Sequence, residues 1–96
     1  MIINIKPSQK KNKRFQVIMD NGKKYDFGLK DGSTYIDHYD KKKRKNYIDR
    51  HIKNEKEFIK NLIPSPALFS MMLLWGPYTD INKNINYLNS LWKENI

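Results

Sequence analysis

The sequence predicts an α+β fold, a small antiparallel sheet of two to four strands followed by three helices with the middle one buried. Three observations predict it. Apolar residues alternate on both sides of Asn21-Gly22, a basic amphipathic stretch opens behind Asp40, and two apolar stretches at helical spacing lie beyond residue 65.

Residues 2–6 form a short β-rich run, stopped by Pro7-Ser8, and residues 9–13 are polar, basic and loop-like. Over residues 14–20, Phe15, Val17 and Met19 fall on one side of a strand and Arg14, Gln16 and Ile18 on the other. Asn21-Gly22 then predicts a type I′ hairpin turn, which needs positive φ at both positions. The return strand over residues 23–28 places Tyr25 and Phe27 on one face. Asp31-Gly32 marks a second turn, and residues 33–37 are expected as a further short strand.

Asp40 reads as the N-cap of a helix from about residue 41 to 53, with Arg44, Tyr47, Ile48, His51 and Ile52 on one face. Residues 55–61 read as its polar continuation or a second short turn, carrying Phe58 and Ile59. Ser65-Pro66 is a cap followed by proline at the first helical position. The helix over residues 67–75 is apolar nearly all round, which belongs in the middle of a core, and Gly76-Pro77 ends it. Thr79 or Asp80 caps the last helix, in which Ile81, Ile85, Leu88 and Trp92 stack while Asn82, Lys83, Asn86, Asn89 and Lys93 face water. The four glycines are all assigned to turns or caps.

A chain of 96 residues makes one domain. It divides into a β-rich part with a basic loop (1–40), a basic helix (41–60) and a neutral helical support (61–96). It contains no cysteine, which excludes disulfides, thiolate metal sites and thiol catalysis. No apolar run approaches the roughly 18 residues that cross a bilayer. Residues 1–6 lack the long apolar region and cleavage site of a signal peptide, so the chain is expected to be intracellular.

Formal net charge is +9. The 16 Lys, 12 Ile and 11 Asn all have A/T-rich codons, so genome bias accounts for part of the lysine excess. It does not account for the placement. Residues 1–60 hold 17 Lys+Arg against 8 Asp+Glu, whereas Lys83 and Lys93 balance Asp80 and Glu94 over residues 61–96, which are just as rich in Asn and Ile. A basic front on a neutral, apolar back suggests a charged surface on a helical support.

The candidate phosphate contacts are Lys41, Lys42, Lys43, Arg44 and Lys45, with Arg50 and Lys53 on the same helix and Lys10, Lys11 and Lys13 from the loop. Binding of this kind works by counterion release and is insensitive to sequence. The competing reading is a solvated helix face. The run opens its helix, where positive charge opposes the helix dipole, and that placement favours a use for it. Arg44 and His51 share the apolar face with Tyr47: either Arg44 pairs with a carboxylate such as Asp37 and His51 bonds a backbone carbonyl, or both converge with His38 on a phosphate. Tyr35, Tyr39 and Tyr47 are candidates for base stacking or for packing anchors. Two histidines thirteen residues apart match no metal-ligand spacing, so neither a metal nor a cofactor is expected. No nucleophile elbow, oxyanion hole or phosphate-cradling glycine loop is present, and no catalytic residue is expected, although Asp37, Asp40 and Asp49 remain available for acid/base work.

Tyr25-Asp26-Phe27-Gly28, then Thr34-Tyr35-Ile36-Asp37-His38-Tyr39-Asp40, then Arg44-Lys45-Asn46-Tyr47-Ile48-Asp49-Arg50-His51 resemble a family of small basic proteins of unassigned activity encoded by large double-stranded DNA viruses of algae and protists. Ala67-Leu68-Phe69-Ser70, Leu73-Leu74-Trp75 and Ile85-Asn86-Tyr87 are similar to the apolar and closing helices of that family, and the chain departs from it in a longer link between His51 and Pro64. The resemblance marks Thr34, His38, Asp40, Arg44, Arg50 and His51 as motif positions, serving either fold or site, and implies a viral setting, in the virion or the infected cell. The leading expectation is a non-enzymatic nucleic-acid-binding protein that is genome- or virion-associated, contacting DNA with low sequence specificity and no membrane. The alternatives are a minor capsid protein and an adaptor whose apolar helix docks a protein partner.

Overall fold

The computed structural model describes residues 1–94, with 54–59 described by their backbone alone. Strands β1 (Ile2–Pro7), β2 (Lys13–Met19) and β3 (Lys24–Leu29) form an antiparallel sheet in the order β1-β2-β3. Four helices follow: α1 (Tyr35–His38), α2 (Lys41–Lys60), α3 (Pro66–Phe69), which runs on into a π-helical turn over Ser70–Leu74, and α4 (Ile81–Glu94). The α+β class is as the sequence predicts.

The hairpin at Asn21-Gly22 forms with a different turn. Met19 pairs with Lys23, Gly22 donates to the Met19 carbonyl (3.0 Å), and of the turn residues only Gly22 has positive φ. That is a three-residue loop closed by a glycine bulge, not the two-residue type I′ turn. Asn21 is held instead by its own side chain, which accepts from the Lys23 amide at 2.9 Å. The pairing Phe15↔Phe27 and Val17↔Tyr25 puts the alternating apolar set on one face.

Residues 33–37 are not a strand. Thr34 and Asp37 form a one-turn helix start: the Asp37 carboxylate accepts from the Thr34 amide and hydroxyl, both at 2.8 Å. A threonine and an acid three residues apart satisfy the exposed amides of a helix, which outcompetes the extended conformation. Tyr39, at φ 57°, ends α1 in the left-handed region. Asp40 caps α2 through the amides of Lys42 (3.0 Å) and Lys43 (3.1 Å), and α2 continues to Lys60, past the expected end near residue 53. The side chains of Phe58 and Ile59 lie outside the described residues.

Ser65 caps α3 by accepting from Leu68 at 3.1 Å, with Pro66 at the first position as expected. The apolar helix does enter the core: Leu68, Phe69, Leu73 and Leu74 are buried with Val17, Phe27 and Leu88. Each such side chain contributes about 1.5–3 kcal/mol of hydrophobic free energy. After one α-turn the helix widens, and the Trp75 amide reaches back to the Ser70 carbonyl at 3.2 Å.

Asn89 departs from the expected solvent-facing pattern of α4, and Asn84, which that pattern assigned to neither face, is buried. Asn89 does not face water; its side chain accepts from the Ile2 amide (2.9 Å) and donates to the Ile2 carbonyl (3.0 Å), pairing with β1 as another strand would. Asn84, fully buried, donates to the carbonyls of Leu73 and Tyr78 and accepts from the Tyr78 amide. Gly76 lies against it. A Cβ there would collide with the Met72 carbonyl and sit 2.7 Å from the Asn84 amide, so Gly76 serves close packing rather than a left-handed cap. Gly28 likewise lies inside β3, not in a turn. Asp80, not Thr79, caps α4 through the amides of Asn82 and Lys83.

Candidate functional site

A cleft of about 470 Å³ opens between the end of β3, the middle of α2 and the α3–π segment. Leu29, Pro66, Ala67 and Leu74 give it apolar surface, Lys13, Arg50 and His51 supply basic groups, and Ser33 and Ser70 supply hydroxyls. A smaller hollow of about 260 Å³ adjoins it, sharing Ser33, Tyr47, Arg50 and Trp75 and adding His38, Lys43 and Asn46. Among the described residues no carboxylate lines either one. The charged side chains that do line them, Lys13, Lys43 and Arg50, are all cationic.

The expected phosphate contacts separate into three groups. Lys13, Lys43 and Arg50 converge on the paired hollows. Lys11, Lys41, Lys42 and Lys53 are exposed but line neither hollow. The others are engaged elsewhere. Lys10 lies 3.6 Å from Asp26, and Lys45 pairs with Asp49 at 2.7 Å, one helical turn on. Arg44 turns inward, where its Nε–H is shared between the Trp75 (3.0 Å) and Gly76 (2.9 Å) carbonyls and its guanidinium lies over the Tyr35 ring. Carbonyls at a helix end lack partners in their own helix, and a cationic donor satisfies them well.

Asp37, the carboxylate expected for Arg44, belongs to Arg14. The Arg14 guanidinium makes two parallel bonds to it, both 2.7 Å, and reaches Thr34 Oγ1 at 3.2 Å. This bidentate bond holds the Asp37 carboxyl well below the usual carboxylate range. Asp26 is lowered too, chiefly by the Ser8 hydroxyl at 2.5 Å, with Gln16 and Lys10 adding to it. Asp40 is lowered by the α2 amides that it caps, Lys43 first, and its negative charge offsets the basic first turn.

The aromatic rings form a continuous ladder. Tyr47 stacks on Trp75 (4.3 Å, 5°) and on His51 (4.1 Å), and His38 leans on the Trp75 ring at 5.3 Å. Tyr47 therefore has a ring on each face, and Tyr35 is buried, so neither offers the open stacking surface that the sequence suggested; of the three tyrosines only Tyr39 is exposed. His38 Nδ1 accepts from the Asp40 amide at 2.9 Å, which leaves the proton of the neutral ring on Nε2. That nitrogen is buried with no hydrogen-bond partner.

Of the motif positions, Thr34, His38, Asp40 and Arg44 build the junction between α1, α2 and the end of the π turn, while Arg50 and His51 face the cleft. Residues 3–51, which include all six, match a family described as a family of unknown function (DUF5754). The chain belongs to this family. No curated protein and no solved structure matches it. The part shared across DUF5754 supplies the sheet, the basic helix to His51 and one wall of the cleft; Pro66, Ala67, Ser70, Leu74 and Trp75 complete it from outside. Among the described residues no group of His, Asp or Glu is placed to hold a metal ion, and no helix is long and apolar enough to cross a membrane.

The sequence missed the structural role of Arg14 and Asn84. For Arg14 a signal existed, since an arginine in a strand and a Thr-x-x-Asp cap are natural partners for a bidentate bond. For Asn84 there was none, because it is one of 11 asparagines with no distinguishing neighbour.

Proposed function

We propose that this DUF5754 protein binds nucleic acid without catalysing a reaction, through phosphate contacts from α2 and the end of the sheet. The observation that carries the reading is the pair of hollows on which Lys13, Lys43 and Arg50 converge with no carboxylate among the described lining residues, all three cations lying in residues 1–60, which hold the whole basic excess. Among the described residues, none of the ion pairs involves Lys13, Lys41, Lys42, Lys43 or Arg50. Their charge stays available to an outside partner. The resemblance to small basic proteins of large DNA viruses supports a genome- or virion-associated setting, within the particle or the infected cell.

The test is a gel shift with single-stranded and duplex DNA across a salt series, comparing wild type with a variant carrying Lys42, Lys43, Arg50 and Lys53 all changed to Glu. Affinity should fall steeply with salt, the logarithmic slope being about −0.9 per phosphate contacted on duplex and about −0.7 on single strands. The reversed-charge variant should lose binding at every salt concentration. Absence of a shift at low salt, or equal binding by both proteins, removes the proposal.

A further inference from the structure

We infer that the cleft seats one unpaired nucleotide, with its phosphate on Lys13 and Arg50 and its base against Leu29, Pro66 and Ala67, so that the protein prefers single-stranded to duplex nucleic acid. The inference rests on the polyanion reading above and adds the form of the strand.

Phosphate contacts alone need only an exposed basic surface. Here the basic groups stand at a concavity of about 470 Å³, within the roughly 300–1,000 Å³ of sites that enclose small molecules. Much of its wall is apolar, so the occupant must bring an apolar body as well as an anionic group. A nucleotide does both, its base offering two apolar faces and a polar edge that Ser33 and Ser70 can meet. A duplex cannot present this combination, because its bases are stacked and paired inside while its phosphates lie on a convex exterior.

The ring ladder makes that wall rigid. Tyr47 is fixed between His51 and Trp75, so little side-chain entropy is lost when a ligand is seated beside it. Arg50 is common to both hollows, which suits a phosphodiester joining the seated nucleotide to its neighbour. The second hollow then takes the next phosphate or sugar, with Lys43 and Asn46 in its wall. His38 also lines it. A free mononucleotide carries the same chemistry as a unit of a strand, and the experiment separates the two.

The variants Ala67→Trp and Ser33→Trp fill the cleft while leaving every cation in place; Ser33 is exposed, so its variant stands if the first is poorly folded, and melting curves check both. Binding is followed by anisotropy with a labelled single strand of about ten nucleotides, the matching duplex, and a fluorescently labelled adenosine 5′-monophosphate, each titrated directly. Wild type should favour the single strand, and each filled variant should lose about tenfold on it, the contribution of one base contact. Duplex affinity should change by less than about twofold, since phosphate contacts survive.

Equal affinity of wild type for both strand forms, or undiminished single-strand binding by the filled variants, overturns the inference. If the four-site Glu variant still loses binding in that case, the polyanion reading stands alone. Direct binding of the labelled mononucleotide with no strand bound assigns the site to a free nucleotide and overturns both strand form and polyanion. Binding to none of the three overturns both as well.

Discussion

Residues 61–94 and residues 1–60 use their polar side chains in opposite ways. The first region has no net charge, and its key polar groups are neutral amides turned inward: Asn84 ties the end of the π turn to the segment before α4, and Asn89 pairs with β1. In the second, charge is abundant and divides by residue type. Two of the three arginines, Arg14 and Arg44, are absorbed by the fold, whereas most lysines of α2 and the remaining arginine, Arg50, stay at the surface. The guanidinium fork satisfies fixed carboxylates and carbonyls at two points at once, which an ammonium cannot. The comparison teaches that charge and structural duty are separable here, so the basic excess can be altered with little effect on the fold.

Gly76→Ala breaks the neutral region most severely. Its methyl group meets backbone and the buried Asn84, neither of which can move aside, so a cost of about 4 kcal/mol or more is expected. Thermal unfolding should show it as a fall of roughly 15–30 °C or an unfolded chain. Asn84→Ala comes next at about 3 kcal/mol, because it strands the Leu73 and Tyr78 carbonyls, and chemical denaturation should report it. Either variant melting like wild type contradicts the role given to those amides.

Arg14→Met should cost about 2 kcal/mol at neutral pH, as the Asp37 carboxylate loses its two-point partner. It also sharpens the contrast through pH. The Asp37 carboxyl is depressed in the folded chain, so the pair's contribution is fully present above the unfolded value of about 3.9 and disappears as pH falls below it. Wild type should therefore lose stability between about pH 4 and pH 2 more steeply than Arg14→Met, and parallel acid melts would refute this. The smallest effect belongs to Lys42→Gln and Lys43→Gln, within about 0.5 kcal/mol of wild type in stability while nucleic-acid affinity at low salt declines. Destabilisation by either comparable to that of Arg14→Met would erase the distinction between structural and available charge.

Local patterns carried most of the fold. The alternation on either side of Asn21-Gly22, the caps at Asp40 and Ser65 and the apolar run after Pro66 each state their element within a few residues. What they could not state was partnership. Asp37 is equally available in sequence to Arg44 and Arg14, and only the meeting of β2 with α1 decides between them. The turn at Gly22 depended on which residues closed the hairpin, a matter of register rather than of the Asn-Gly pair. Of the candidate site, the basic residues were legible and the cleft was not, because its apolar side comes from residues that in sequence look only like core.

The widened turn at Ser70–Leu74 holds one residue more than an ordinary helical turn of the same span. Each residue advances a helix by about 100°, so this surplus sets the azimuth at which Trp75 leaves the helix. At a regular pitch the indole would swing away from Tyr47, and the two carbonyls that Arg44 holds would point elsewhere. A single amino acid of helical phase thus aligns the indole, the phenol and the guanidinium, and deleting one residue from this segment would bring a different side chain against Tyr47.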